Sequence, residues 1–170
     1  MDDRKTILIL GAGIYQVPLI KQAQAQGYRA VVVSIPGNYP GFSVADKYYY
    51  TSTTDREAVL DIAVKEKACA VVTTGTDVAV VSIGYVCQKL GLWGIGERAA
   101  AILTDKALMK DAFVKGGVNT AEFRCVRSLP EAREAAGEIG LPVMLKIVDK
   151  SGSRGITKIS ELSQLPEAYE

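Results

Sequence analysis

Three short apolar runs, each followed by a stretch of helical character, constrain the fold of this chain more than any other feature. The first run, Thr6–Leu10, is almost wholly apolar, which is typical of a strand buried on both faces of a parallel sheet. Ala30–Val33 and Ala68–Thr73 repeat the pattern. Three strand–helix alternations predict a doubly wound α/β unit with right-handed crossovers.

A glycine turn follows the first strand. Gly11 and Gly13 open a G-x-G-x-x-G pattern, but Gln16 stands where the third glycine would be. The second strand ends in Ser34–Gly37 (SIPG), where a dinucleotide site would carry an acid for the ribose. Both departures count against NAD. Three interpretations remain open: a dinucleotide site, a bare structural turn, and a small-molecule site formed by Gly11, Gly13 and Gln16 at the end of the strand.

Start and stop signals predict the helices of this first part. One helix runs from about Val17 to Gln26, with a proline in its first turn and a glycine after it. A second begins at a capping box opened by Thr54 and runs to about Glu66, and a third runs from about Val78 to Leu90. A turn-rich loop over Pro36–Phe42 and a short strand within Asp46–Thr51 are expected between them.

The later part of the chain has a different order of elements. Thr104 is the predicted N-cap of a helix that ends at Gly116. A strand over Ala121–Val126 follows. Ser128 and Glu131 then predict a capping box that opens a helix to about Glu138.

A second glycine-rich segment joins two apolar runs, Leu141–Lys146 and Ile156–Ile159, and this predicts a strand–loop–strand hairpin. Lys146 lies in an otherwise apolar run and is therefore expected to be buried, and a buried lysine requires an anion as a partner. The glycines of the loop let the backbone N–H groups approach a ligand, while its basic and hydroxyl side chains supply donors. The hairpin tip therefore suits a polyphosphate, although solvated turn residues are the alternative. The loop residues are Lys150, Ser151, Gly152, Ser153, Arg154 and Gly155.

Composition removes several classes of function. The net charge of +1 gives no reason to expect nucleic acid or an anionic membrane as a partner. Apolar runs stay far below the roughly 20 residues of a membrane span, and the features of a signal peptide are lacking, so a cytoplasmic protein is expected. The chain has no histidine, which excludes histidine-containing triads and histidine–zinc sites. No CxxC pair occurs, and buried structural thiols are predicted for Cys69, Cys87 and Cys125.

Four motifs, in this order and spacing, resemble the ATP-grasp superfamily. They are the turn Gly11–Gly13, the helix start Thr104–Met109 (TDKALM), the strand Leu141–Lys146 (LPVMLK) and the loop Ser151–Gly155 (SGSRG). The last two are similar to the P-x-x-x-K and G-S-G-S-x-G segments of that superfamily. The resemblance is greatest to the carbamoyl-phosphate synthase large subunit and to the biotin carboxylase-like group.

The resemblance implies a function and roles for the matched residues. The superfamily uses ATP and Mg²⁺ to convert a carboxylate into an acyl phosphate, which an amine or similar nucleophile then attacks. Small-molecule carboxylate and acceptor substrates are thus implied, with a homodimer by analogy. Gly11, Gly13 and Gln16 would border the substrate. The implied ATP-binding residues are Lys106, Lys146, Ser151, Gly152, Ser153, Arg154 and Gly155.

The implied architecture is a Rossmann-like pre-ATP-grasp domain over residues 1–97, followed by an incomplete α+β lobe over residues 98–170. The chain stops about one turn into a predicted helix, so a fragment that is itself inactive is expected. Metal-binding and adenine-binding residues would then lie beyond residue 170. Two other functions remain open: a non-catalytic ligand-binding or oligomerising module, and an NAD(P)-dependent oxidoreductase.

Overall fold

A computed structural model describes residues 2–170 and divides them into two compact units. The first unit ends at Thr104, and the second runs from Asp105 to Glu170.

The first unit is built on a parallel four-stranded sheet in the order β3-β2-β1-β4, which confirms the predicted Rossmann-like topology. The first strand in the chain therefore lies inside the sheet, with β2 on one side and β4 on the other. The strands are β1 (Thr6–Leu10), β2 (Arg29–Ser34), β3 (Lys47–Tyr50) and β4 (Ala68–Val72).

Five helices accompany this sheet. Three of them match predicted helices within a few residues, whereas one short helix lies partly in the stretch predicted as a loop. That stretch contains Pro40, which occupies the first turn of α2, where its missing N–H is tolerated. The helices are α1 (Val17–Ala25), α2 (Pro40–Val44), α3 (Arg56–Lys65), α4 (Val80–Leu90) and α5 (Glu97–Thr104).

Side chains of β1 alternate between two buried apolar layers, as expected for a strand covered on both faces. Leu8 and Leu10 belong to the layer that contains Val59 of α3 and Val86 of α4. Ile9 belongs to the layer that contains Ile20 of α1. All six side chains are fully buried, so each face of the sheet forms an apolar core with the helices that cover it.

Asp55 caps helix α3, with its carboxylate accepting a hydrogen bond from the N–H of Ala58 at 3.1 Å. The prediction of Thr54 as the N-cap is wrong by one residue. Either residue type can cap a helix, so the sequence pattern alone did not separate the two.

Helix α5 packs closely on α4, and this explains where the first unit ends. A Cβ atom on Gly84 would lie 2.5 Å from the Cβ of Ala100, so glycine allows this close approach. The sequence placed the boundary near Glu97, at the start of α5, whereas the structure groups α5 with the sheet. The functional division into residues 1–97 and 98–170 stays a prediction.

The second unit contains a two-stranded antiparallel sheet, and this confirms the predicted hairpin. Strand β5 (Val143–Lys146) pairs with β6 (Ile156–Ile159), with Lys146 opposite Ile156. Ala132, Ala136, Ile159 and Leu165 form its buried apolar cluster. Its helices are α6 (Lys106–Lys115), α7 (Leu129–Ile139) and α8 (Leu165–Tyr169), with a 3₁₀ turn at Leu162–Gln164.

Two predictions for this unit need correction. Ala121–Val126 forms no strand, because the only described sheet of this unit is the β5–β6 pair, which leaves the segment without a partner. Ser128 does cap α7, but the carboxylate of Glu131 accepts from the N–H of Arg127 at 2.9 Å rather than from that of Ser128.

Gly137 offers a position for stabilising the second unit. It lies inside α7, and a Cβ atom there would have no neighbouring atom within 4 Å. Gly137→Ala is therefore expected to raise the free energy of unfolding by about 0.5–1 kcal/mol, because alanine lowers the entropic cost of forming the helix. Urea denaturation followed by circular dichroism measures the change, and a loss of stability would contradict the open environment.

The cysteines differ from their predicted burial. Cys87 is buried, but Cys69 and Cys125 are exposed. Cys69 lies on β4, at one edge of the sheet, and Cys125 lies in the segment that has no strand partner. Within residues 2–170 no helix is long and apolar enough to cross a membrane.

Candidate functional site

In the first unit, the predicted substrate loop wraps around the side chain of Gln16. Gly11 has a φ of +100°, a conformation that favours glycine, and its N–H donates to Val33 O at 2.7 Å. A Cβ atom on Gly11 would lie 3.0 Å from Cδ of Gln16, and one on Gly13 would lie 3.1 Å from Oε1. The two glycines thus make room for the glutamine.

Gln16 is only 5% exposed, and its amide donates to the carbonyl of Thr74. Nearby, the hydroxyl of Thr73 donates to the carbonyl of Leu10 at 2.6 Å. The side chains of Gln16 and Thr73 therefore join the loops after β1 and β4. The sequence pattern did not predict either contact. Gln16 occupies the inner side of the turn, where a third glycine would have left space.

The joined loops lie at the switch point of the sheet, because the chain leaves β1 towards β2 and returns on the other side as β4. Ligands of parallel α/β folds bind in the crevice at such points. Helices α1 and α4 begin after these two strands, and neither has a side-chain cap or an acidic residue in its first turn. Uncapped helix N-termini favour anionic groups, so this edge suits a phosphate or carboxylate.

In the second unit, the glycine-rich segment connects β5 to β6 as predicted. The loop closes through the N–H of Ile147, which donates to Gly155 O at 2.9 Å. Positive φ angles occur at Gly152 (+67°), Ser153 (+59°) and Gly155 (+63°). These three residues and Arg154 are exposed, while Ser151 is half-buried. Residues at positive φ are typical of backbone turns whose N–H groups bind anions, so this loop suits a phosphate.

Lys146 is exposed, so the prediction of a buried lysine is wrong. The sequence argument inferred burial from the apolar run alone, but β5 belongs to a two-stranded sheet that buries one face. Val143 and Leu145 pack on the apolar cluster, whereas Met144 and Lys146 face outward. The ammonium of Lys146 stands at the base of the loop, open to a ligand.

Lys106 contacts the start of the same loop. Its ammonium donates to the carbonyls of Ile147 at 2.9 Å, Val148 at 3.4 Å and Lys150. Its backbone N–H also donates to Val148 O at 3.0 Å. Lys106 and the loop are far apart in sequence, so no local pattern could have revealed this link.

Asp105, rather than the predicted Thr104, caps α6 and fixes its first turn. The carboxylate of Asp105 accepts from the N–H groups of Ala107 at 2.8 Å and Leu108 at 2.9 Å. The hydroxyl of Thr104 instead donates back to Ala100 O, as the last residue of α5. The cap holds Lys106 at the helix start, facing the loop.

Magnesium was predicted as a cofactor, with its ligands outside the chain. Among residues 2–170, no group of three or more cysteine, aspartate or glutamate side chains could hold a metal ion. Mg²⁺ usually binds through one or two carboxylates together with substrate phosphates, so the location of its protein ligands outside the chain stays a prediction.

Comparison with known proteins gives relatives over nearly the whole chain, although no family model matches it. A formate-dependent phosphoribosylglycinamide formyltransferase of Wolinella succinogenes is 29% identical over 168 residues, covering 96% of this chain and 43% of the relative. A phosphoribosylglycinamide synthetase structure from Anaerococcus prevotii is 30% identical with a TM-score of 0.74, covering 98% of this chain and 42% of the other. The fold also matches an N5-carboxyaminoimidazole synthetase from Staphylococcus aureus complexed with ADP, with a TM-score of 0.81, 21% identity, and 99% and 45% coverage.

The homologues of this chain are ATP-grasp enzymes, and the chain matches their N-terminal portion, which confirms the resemblance seen in the sequence. Its homologues are ATP-dependent ligases of that superfamily that act on small molecules, and they use ATP with Mg²⁺. The chain spans less than half the length of the relatives described above.

Proposed function

We propose that this chain supplies the phosphate-binding hairpin of an ATP-dependent ligase that activates a carboxylate as an acyl phosphate. The observation that carries the proposal is the β5–β6 hairpin, in which an exposed lysine stands at the base of a loop with three residues at positive φ. Lys146 would supply charge to the phosphates, and Ser151, Gly152, Ser153, Arg154 and Gly155 would supply N–H, hydroxyl and guanidinium donors.

The substrate would bind at the switch point of the parallel sheet. Support comes from the joined loops after β1 and β4 and from the uncapped starts of α1 and α4. Gly11 and Gly13 would present backbone to an anionic group of the substrate. Gln16 would act by holding the loop in place, because its amide is already engaged with Thr74.

Phosphoryl transfer of this kind requires neutralised charge and good positioning more than a side-chain nucleophile. A chain without histidine meets that requirement through lysine, arginine and backbone N–H groups. Magnesium, when bound together with ATP, would add to the neutralisation of the phosphate charge. Binding of magnesium-ATP, a cytoplasmic location and a homodimer stay predictions for the whole protein.

Lys146→Ala in the whole protein is expected to raise the dissociation constant for ATP at least about tenfold, because a charge-assisted donor to the phosphates is lost. The melting temperature should hardly change, since the side chain is exposed. Calorimetric titration with magnesium-ATP measures the first effect, and thermal denaturation measures the second.

Lys158→Ala is the matched control. Lys158 lies opposite Met144 in the same hairpin and is also exposed, but it is farther from the loop. The Lys158→Ala variant should leave the affinity for ATP unchanged. A lower melting temperature for Lys146→Ala at unchanged ATP affinity would contradict the proposal, as would stabilisation of the wild type by NADH but not by magnesium-ATP.

A further inference from the structure

The ammonium of Lys106 is fully engaged with the backbone. An ammonium has three protons, and three carbonyl oxygens of the segment 147–150 lie within hydrogen-bonding distance of it. These are charge-assisted hydrogen bonds, which are stronger than those between neutral groups. A solvated surface lysine would not gather three acceptors from one short segment.

The segment that these bonds hold has few other attachments. Ile147 and Val148 are 47% and 42% exposed, and residues 147–150 lie beyond the β5–β6 pairing. Its other described backbone bonds are Ile147 N to Gly155 O and Lys106 N to Val148 O. The position of the segment therefore depends strongly on the first residue of α6.

We propose that Lys106 is a positioning residue that holds the start of the phosphate-binding loop when no nucleotide is bound. The phosphate-binding role of the loop rests on the proposed function. The contact of Lys106 with residues 147–150, which we call the tether, is a property of the nucleotide-free protein. Lys106 fixes residues 147–150, and the exposed tip at residues 152–155 then extends from a defined base. An ATP phosphate approaching this ammonium would have to displace at least one carbonyl from it.

The test is hydrogen–deuterium exchange of the nucleotide-free chain, followed by mass spectrometry. Lys106→Met removes the three donors but keeps a long apolar side chain. Exchange in peptides covering residues 147–155 is expected to become at least about fivefold faster, while α7 keeps its protection. Lys106→Arg retains a charged donor and should recover much of the protection.

Lys110→Met is the matched control on the same helix. The ammonium of Lys110 donates to Thr120 Oγ1 at 2.5 Å and to Ala121 O at 2.6 Å, so it holds a different segment. This variant should speed exchange around residues 120–121 and leave residues 147–155 unchanged. Unchanged exchange of the loop in Lys106→Met, or an equal increase in Lys110→Met, would overturn the tether. Both results are independent of ATP binding, so failure of the tether is distinguishable from failure of the proposed function.

Discussion

Gly41→Ala is expected to lower the free energy of unfolding by about 3 kcal/mol and to displace the loop formed by residues 11–16. Gly41 lies in α2 and donates its N–H to the carbonyl of Ala12 at 2.7 Å. A Cβ atom on Gly41 would lie 2.6 Å from Ala12 O and 2.8 Å from Ala12 Cα. These are backbone atoms of a buried residue, so the clash cannot be relieved by turning a flexible side chain.

Urea denaturation gives the loss of stability, and hydrogen exchange of residues 11–16 gives the local effect. Gly137→Ala makes the same chemical change in open space and should stabilise the chain, so it separates the clash from the effect of alanine itself. A decrease of less than about 0.5 kcal/mol in the free energy of unfolding of Gly41→Ala would mean that the loop moves at little cost. The close packing of Gly41 against Ala12 would then be wrong.

Glu66→Gln is expected to lower the free energy of unfolding by about 2–3 kcal/mol at neutral pH. The carboxylate of Glu66 is 5% exposed and pairs with Arg29 and Lys47, each at 2.6 Å. It also accepts a hydrogen bond from the hydroxyl of Tyr49. The neutral amide of glutamine would remove the close negative charge from both cations, and Arg29 would keep only the carboxylate of Asp2, at 3.8 Å.

The effect has a defined pH dependence. Burial raises the pKa of Glu66, but hydrogen bonds from Lys47, Tyr49 and Arg29 outweigh it and bring the pKa to about 2, against an ordinary value of 4.5. A lowered pKa in the folded state means that the charged form stabilises the fold. This contribution is complete above about pH 5 and declines as the pH falls from 4.5 towards 2.

The stability difference between the wild type and Glu66→Gln should therefore shrink over that pH range. Asp61→Asn removes a carboxylate from an exposed position on the same helix, where no ion pair with Asp61 is found among the described residues. Asp61→Asn should lower the free energy of unfolding by less than about 0.5 kcal/mol. A difference between wild type and Glu66→Gln that stays constant down to pH 2 would show that the loss comes from packing and not from charge.

The sequence predicted the elements that are organised by local signals or by burial on both faces. Strand β1 was predicted with its observed bounds, because a run covered on both faces is apolar at every position. The hairpin was predicted for a similar reason, since apolar runs flank a loop of turn residues. Ser128 was identified as a cap because its pattern is contained within a few residues.

The errors arose where a residue depends on distant parts of the chain. Exposure of Lys146 could not be inferred, because an apolar run does not reveal whether one or both faces of its sheet are covered. Ala121–Val126 has the composition of a strand but no partner strand. The contacts of Gln16 with Thr74 and of Lys106 with residues 147–150 join segments that only the folded chain brings together.

The strand order has a consequence for folding during synthesis. Strand β1 precedes its neighbours in the chain but lies between β2 and β4, so its second edge stays open until Val72 has left the ribosome. At roughly 5–20 residues per second, the roughly 60 residues between the ends of β1 and β4 take about 3–12 seconds to synthesise. During that time Leu8, Ile9 and Leu10, all fully buried in the folded chain, cannot have their complete surroundings. The nascent chain therefore carries an aggregation-prone strand with one unpaired edge. Such a strand suits a chaperone that binds short apolar segments.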